Sequence, residues 1–278
     1  MSLGRRRVGL HEPERWIYNR MAEAYAARPA YPGALVDRLS ALAGATSGER
    51  EGHEGHILDL GAGLGLLSLP LAARGHEVIA VDPAAAMLQA LSLRAQQAQL
   101  PIRTLHAAAE ALPLPDHSVS LVVIADAVHF LDAQRTGAEL ARVLAPHAAL
   151  AFIQVELAGS PFMRELVHIM QEAAPRRPRR VTGTMTQMAA LCGVDLREYE
   201  AFENDVPMDH ARLEQLFGSI SFIGPAMNPA RLSAFCARVR AIPHAPRWHT
   251  HIRLHAGHRA SGHNLETAET IRAQRLPP

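Results

Sequence analysis

Between residues 56 and 155, short apolar runs alternate with helical patterns, and this alternation limits the fold more than any other feature of the 278-residue chain. The runs predicted as strands are His56–Leu60, Glu77–Val81, Ile102–His106, Val119–Ala125 and Ala148–Val155. Such runs are rich in Val, Ile and Leu, which is typical of strands that are buried on both faces. Strands separated by helices in this way predict a parallel sheet with helices covering both of its faces.

The residues on either side of this region predict further elements. Two amphipathic helices, Glu14–Ala27 and Gly33–Leu42, flank a proline-containing break. After residue 156 the pattern is mainly helical, with strands predicted at Glu198–Pro207 and Arg247–His255. We therefore expect an N-terminal helical lid (1–45), a ligand-binding core (46–156), an inserted helical cap (157–219), a C-terminal part of the core sheet (220–259) and a loose polar tail (260–278).

The sharpest motif is Asp-Leu-Gly-Ala-Gly-Leu-Gly at positions 59–65, where the first strand meets the next helix. Glycines at such a turn let the backbone bend tightly and let a ligand approach closely. Asp82 ends the next strand, where a carboxylate can accept hydrogen bonds from both hydroxyls of a ribose. A dinucleotide-binding turn needs G-x-G-x-x-G, but Leu66 occupies its third glycine position. The spacing therefore favours a nucleoside ligand without a diphosphate over a dinucleotide.

This pattern resembles the first motif of the class I S-adenosylmethionine-dependent methyltransferases, in particular a subgroup that acts on small molecules. The resemblance extends from about Tyr18 to Phe152. It implies a doubly wound, mostly parallel, seven-stranded sheet with helices on both faces, together with N-terminal helices and an inserted helical cap. The cofactor implied is S-adenosylmethionine.

The same resemblance assigns cofactor-binding roles to residues in several motifs. Asp82 would take the ribose hydroxyls, Met87 would pack near adenine, and backbone groups around Ala109 and Glu110 would read the adenine ring. Two positions depart from the family pattern, because Ala108 and Ser120 stand where acidic residues are usual. The full set of expected cofactor-binding residues is Tyr18, Tyr25, Arg28, Asp59, Gly61, Ala62, Gly63, Gly65, Asp82, Pro83, Met87, Ala109, Glu110 and Ala125.

The N-terminal residues of this set are expected to fold over the cofactor. The resemblance implies that Arg28 pairs with the methionine carboxylate and that Tyr18 or Tyr25 donates a hydrogen bond to it. A surface arginine and packing tyrosines are the structural alternative.

Two residues after the fourth predicted strand are the expected catalytic residues. Asp126 and His129 follow that strand, and ligands in open α/β sheets lie beyond the carboxyl ends of the strands. His129 could take a proton from an acceptor or orient it. An ordinary hydrogen-bonded histidine is the alternative interpretation.

Composition excludes several other classes of protein. With 28 basic and 27 acidic residues the formal charge is +1, so no overall field favours nucleic acid or an anionic membrane. The chain contains no lysine, which excludes a lysine Schiff base and a P-loop lysine. Two cysteines are too few for a disulfide scaffold, and we expect a cytoplasmic protein with neither signal peptide nor membrane span.

Two polar clusters have no clear role in the sequence. His249, His251 and His255 share one face of the last predicted strand, but without an accompanying carboxylate or cysteine we expect a solvent-facing edge strand and no metal. The arginines between positions 176 and 180 either bind an anionic substrate or form a solvated loop, and the loop is favoured.

These observations favour a methyltransferase that acts on a small molecule in biosynthesis, as part of specialised metabolism. An alternative is an enzyme that cyclises S-adenosylmethionine to azetidine-2-carboxylate and releases methylthioadenosine. A second alternative is a non-catalytic cofactor-binding subunit. The sequence leaves the acceptor atom and the oligomeric state open.

Overall fold

The computed structural model describes residues 12–47, 55–176 and 181–260. The strands are β1 (His56–Leu60), β2 (Val78–Asp82), β3 (Ile102–His106), β4 (Val119–Ala125), β5 (Leu144–Leu157), β6 (Glu198–Pro207) and β7 (Arg247–His258). The helices are α1 (Glu12–Tyr25), α2 (Gly33–Ser47), α3 (Ser68–Ala72), α4 (Ala85–Gln97), α5 (Ala133–Val143), α6 (Pro161–Ala173), α7 (Thr182–Leu191), α8 (His210–Gly218) and α9 (Pro229–Arg240). A short 3-10 turn covers Val128–Phe130.

The strands form one seven-stranded sheet in the order β3-β2-β1-β4-β5-β7-β6. The first five strands are parallel, and β7 runs antiparallel to both β5 and β6. The chain order reverses between β1 and β4, and this switch point opens a crevice at the carboxyl ends of the strands. The predicted doubly wound, mostly parallel, seven-stranded sheet is confirmed.

Strand residues alternate between two apolar layers. Leu121 and Val123 of β4 pack with α2 and α3 on one face, whereas Val122 and Ile124 pack with α5 and α7 on the other. All four side chains are fully buried. Helices therefore cover both faces of the sheet, which explains why the central strands lack polar alternation.

Helices α6, α8 and α9 form a third apolar cluster outside the two layers, with Phe162, Phe217 and Phe235 among its buried residues. This cluster draws on both sides of residue 219, because α9 follows that position. Strand β6 lies between α7 and α8 in the chain but joins the sheet, so the predicted cap segment contains one strand of the sheet.

The prediction that the last strand is a solvent-facing edge is wrong. Strand β7 pairs with β5 over residues 250–258 on one side and with β6 over residues 247–256 on the other, and β6 is the edge. The predicted alternation of apolar and polar residues along β7 is confirmed, since Ile252 and Leu254 are buried. His249, however, is half-buried, and its imidazole comes within 3.7 Å of Glu203 on β6. Period-two patterning shows which residues share a face but not how many neighbours the strand has.

The described residues contain no group of three or more His, Cys, Asp or Glu side chains able to hold a metal ion. In the same three ranges, none of the helices combines the length and apolar character needed to cross a bilayer. Apart from Ala260, the predicted tail (260–278) lies outside the described residues.

Candidate active site

A cavity of about 870 Å³ opens at the carboxyl ends of β1, β2 and β4. Its floor is formed by the turns that follow these strands, and α1 and residues 219–222 close it from above. The expected site residues that line it are Tyr18, Tyr25, Arg28, Gly61, Gly63, Asp82, Pro83, Met87, Ala109, Glu110, Ala125, Asp126 and His129. The structure thus brings together, in one cavity, residues from widely separated parts of the sequence.

The three glycines of the first motif have different roles. All three have positive φ, at 79° for Gly61, 53° for Gly63 and 76° for Gly65. A Cβ at Gly63 would meet nothing within 4 Å, whereas one at Gly65 would lie 2.2 Å from Leu91 Cδ1. Gly63 lines the cavity, and Gly65 lets α4 pack closely on the turn and does not reach the cavity.

Asp82 at the end of β2 is held by two backbone amides. Its Oδ2 accepts from Gly63 N at 2.9 Å and its Oδ1 from Ala84 N at 2.7 Å. Burial raises the pKa of this carboxyl, and the two amide hydrogen bonds oppose the rise. Each oxygen keeps a further acceptor position, so a fixed carboxylate can receive two more hydroxyl groups at the cavity wall.

Asp59 does not line this cavity, although it begins the first motif. It is 2% exposed and accepts a hydrogen bond from Ser68 Oγ at 2.6 Å. Burial raises its pKa from 3.8 to about 6, despite the opposing hydrogen bond. With Ala62 and Tyr31 it surrounds an adjoining chamber of about 100 Å³, so Asp59 supports the glycine turn from beneath.

Residues 107–110 form the side of the cavity expected to hold adenine. An Arg142–Glu139 pair fixes the segment that follows: Glu139 Oε1 accepts from Leu112 N at 2.8 Å, and Arg142 donates to the Leu112 and Leu114 carbonyls at 3.0 and 2.7 Å. The wall is therefore positioned from outside, by two side chains of α5.

The two departures from the family pattern differ in consequence. Ala108 lines the cavity, so a methyl group stands where an acidic side chain is usual. Ser120 is buried and donates to the Gly55 carbonyl at 2.7 Å, which ties β4 to the start of β1. Ser120 is outside the cavity lining and has a structural role.

The N-terminal residues form an aromatic and cationic wall. Tyr18 packs edge-on against Tyr25 and against Phe130, with ring centroids 6.3 and 5.4 Å apart. The guanidinium carbon of Arg28 lies 4.1 Å from the centroid of the Tyr25 ring. Burial raises the pKa of the Tyr25 hydroxyl, which keeps it a neutral donor.

The turn after β4 places the two expected catalytic side chains. Asp126 has a positive φ of 49°, and its amide donates to the Ile153 carbonyl at 2.9 Å, so the turn is anchored to β5. The ring of His129 packs against Phe130 with centroids 3.8 Å apart. Both Asp126 and His129 line the cavity, and they follow β4, whereas Pro83 follows β2 on the other side of β1.

The sequence motifs do not mark several further residues of the cavity. Gln154 and Glu156 extend from β5, and Glu156 pairs with Arg253 at 2.9 Å. Arg176, the first arginine of its cluster, lies over the Phe222 ring at 4.5 Å and lines the cavity, whereas 177–180 fall outside the described residues. The register of β5 with β7 could have indicated Glu156, but no local pattern marks residues 219–222.

Comparison with known proteins agrees with this arrangement. Residues 58–152 match the family described as "Methyltransferase domain". An uncharacterized methyltransferase of Mycobacterium tuberculosis is 38% identical over 126 residues, which is 45% of this chain and 46% of that protein. A demethylmenaquinone methyltransferase of Thermus thermophilus is 41% identical over 101 residues, 35% of this chain and 46% of that protein.

The similarity of sequence is partial and the similarity of fold is wider. The chain spans about half the length of these curated relatives. A solved structure from Anaeromyxobacter dehalogenans, described as a candidate type II methyltransferase, covers 83% of this chain and 97% of its own at a TM-score of 0.55 and 24% identity. That likeness concerns the fold alone. The family match identifies residues 58–152 as a methyltransferase domain, which agrees with the resemblance of the motifs to the class I S-adenosylmethionine-dependent methyltransferases.

Proposed function

We propose that this protein transfers the methyl group of S-adenosylmethionine to a small-molecule acceptor in a biosynthetic reaction. The observation that carries the proposal is the position of Asp82, whose two oxygens are fixed by the Gly63 and Ala84 amides at the wall of the large cavity. A buried carboxylate at this point favours a ligand that donates two hydroxyl groups. The G-x-G-x-x-G spacing that a dinucleotide needs is absent, because Leu66 occupies its third glycine position.

The residues present fit S-adenosylmethionine. The open space beside Gly63 leaves room for a ligand against the turn, and the cavity offers an acid for the ribose, an arginine for a carboxylate and apolar residues for a base. Asp82, Arg28 and Met87 would hold these three parts of the cofactor. When bound, the cofactor supplies a methyl group that is activated by the positive sulfur.

The chain itself then has to position the acceptor and exclude water. Positioning alone can supply roughly 7–11 kcal/mol of the barrier. Asp126 and His129 stand on the acceptor side, where either can hold a proton that the acceptor must lose before attack. The aromatic wall of Tyr18, Tyr25 and Phe130 limits access of water to this point.

A small acceptor suits the size of the cavity. A volume of about 870 Å³ lies within the range of small-molecule sites, roughly 300–1,000 Å³. The Thermus thermophilus relative is named for a small organic substrate, demethylmenaquinone, which supports the class of acceptor and not its identity.

Product analysis tests the proposal. Purified protein is incubated with S-adenosylmethionine, alone and with a panel of hydroxyl, amine and thiol acceptors. S-adenosylhomocysteine formed only with an acceptor is the expected product. Methylthioadenosine formed without acceptor would instead show the cyclisation to azetidine-2-carboxylate.

Binding measurements separate the remaining alternatives. By calorimetry we expect S-adenosylhomocysteine to bind and NAD to bind far more weakly, because Leu66 replaces the third glycine of a dinucleotide-binding turn. Tighter binding of NAD would contradict the proposal. If the protein binds the cofactor but forms no product with any of the acceptors, the result would favour a non-catalytic cofactor-binding subunit.

A further inference from the structure

We propose that Ser219 is a positioning residue that sets the orientation of Arg28 toward the carboxylate of S-adenosylmethionine. This inference rests on the proposed function, since it concerns how the same cavity holds the same cofactor. The two residues are 191 positions apart in the chain and meet at the roof of the cavity.

Ser219 contacts one edge of the Arg28 guanidinium with two separate groups. Arg28 Nε donates to Ser219 Oγ at 3.0 Å, and Arg28 Nη2 donates to the Ser219 carbonyl at 3.1 Å. The Tyr25 ring supports the guanidinium from a third direction, 4.1 Å from its central carbon. These contacts leave the edge formed by Nη1 and Nη2 for a bidentate carboxylate.

Ser219 is itself fixed. Its side chain is buried, with the residue 1% exposed, and its hydroxyl donates to the Leu216 carbonyl at 2.7 Å. With that proton committed to α8, the oxygen is directed as an acceptor toward Arg28 Nε. Because this hydroxyl has a fixed donor and a fixed acceptor partner, it can orient the Arg28 guanidinium. An exposed serine would sample several rotamers.

Other contacts from α8 hold the backbone on which Arg28 stands. Arg212 Nε donates to the Ala27 carbonyl at 3.1 Å, and Gln215 Nε2 donates to the Glu23 carbonyl at 3.3 Å. The Arg28 main chain is therefore held independently of Ser219. Removal of the Ser219 hydroxyl should then disturb the guanidinium more than the fold.

The test compares two ligands that differ only in the carboxylate, S-adenosylmethionine and decarboxylated S-adenosylmethionine. For Ser219→Ala we expect calorimetry to give roughly five- to tenfold weaker binding of S-adenosylmethionine, the loss of one charge-assisted hydrogen bond. Binding of the decarboxylated ligand should change less than twofold, which also shows that the variant is folded. Ser219→Thr, which keeps the hydroxyl, should recover at least half of the lost affinity on a logarithmic scale.

A double-mutant cycle completes the test. On an Arg28→Gln background, Ser219→Ala should weaken S-adenosylmethionine binding no further. Equal weakening of both ligands, no weakening of either, or an additive effect on the Arg28→Gln background would overturn the inference while the proposed function stands. If Ser219→Ala does not fold, Ser219→Cys, which keeps the volume but only a weak acceptor, is compared in the same way. Wild-type protein that binds neither ligand would overturn the proposed function and this inference with it.

Discussion

Asp59 illustrates how a buried residue of a binding motif can lower stability. Its carboxyl is buried beneath the glycine turn, and burial raises its pKa to about 6. The folded protein therefore binds more protons than the unfolded chain between about pH 4 and 6, and stability falls as pH rises through this window. Above pH 6 the free energy of unfolding has fallen by the full amount that corresponds to the shift in pKa, about 3 kcal/mol.

We expect Asp59→Asn to stabilise the protein at pH 7.5 and to have much less effect at pH 4.5. The amide oxygen of asparagine can still accept the hydrogen bond from Ser68, while the buried charge is gone. Urea denaturation at the two pH values measures the difference, with the surface variant Asp195→Asn as control. A gain that is the same at both pH values would contradict the raised pKa.

Asp82 is the opposite case, because its charge is expected to serve the ligand. Asp82→Asn should weaken S-adenosylhomocysteine binding at least about tenfold, since hydrogen bonds to an ionised group contribute roughly 1.5–3 kcal/mol. Asp195→Asn, which changes an exposed carboxylate paired with Arg197, should leave the affinity unchanged. Calorimetry gives both values, and an unaltered affinity for Asp82→Asn would remove this residue from the ribose site.

At the scale of elements, the turn between β1 and α3 separates ligand contact from packing. Gly63→Ala should reduce the free energy of unfolding by about 1–2 kcal/mol, from its positive φ, and should weaken cofactor binding because the methyl group enters the open space beside the turn. Gly65→Ala should reduce it by about 2–4 kcal/mol, because Leu91 must also move. Its folded fraction should bind the cofactor with nearly wild-type affinity.

Chemical denaturation and calorimetry on this matched pair check the assignment. Weak binding by stable Gly65→Ala, with normal binding by Gly63→Ala, would reverse the two roles. The sequence alone treated both glycines as cofactor-binding, since the spacing of a motif does not show which side of a turn each residue faces.

Local patterns predicted the elements well because each strand and helix is determined by its own residues. Five strands were predicted between residues 56 and 155. Four of them end within one residue of the observed carboxyl end, and the fifth, β5, continues two residues further. Strand β7 was misplaced at the edge because pairing partners depend on the path of the whole chain. The same reason explains why Asp82 and His129 were found from motifs, whereas Ser219 and Glu156 were not.

At the scale of the whole molecule, the cavity is assembled from distant parts of the described chain. Tyr18, Tyr25 and Arg28 come from the start, Ser219 and Phe222 from the later helical cluster, and the glycine turn from the middle. These three regions contact one another, since Leu64 of the glycine turn packs with Tyr18 and Tyr25, and Arg28 donates to Ser219. Ligand binding should therefore stabilise them together.

Hydrogen–deuterium exchange tests this coupling. With S-adenosylhomocysteine at about 100 times its Kd, binding adds about 2.7 kcal/mol to the stability of the folded state. Amides that exchange only through openings that release the ligand should therefore exchange up to about a hundredfold more slowly. We expect this protection in residues 60–65, in residues 18–28 and in residues 219–222, because all three line the cavity. Edge strand β6, which contributes nothing to the lining of this cavity among the described residues, provides the internal control. Protection confined to residues 60–65 would mean that the helical roof does not engage the cofactor, and the contacts of Arg28 would then serve only to join α1 to α8.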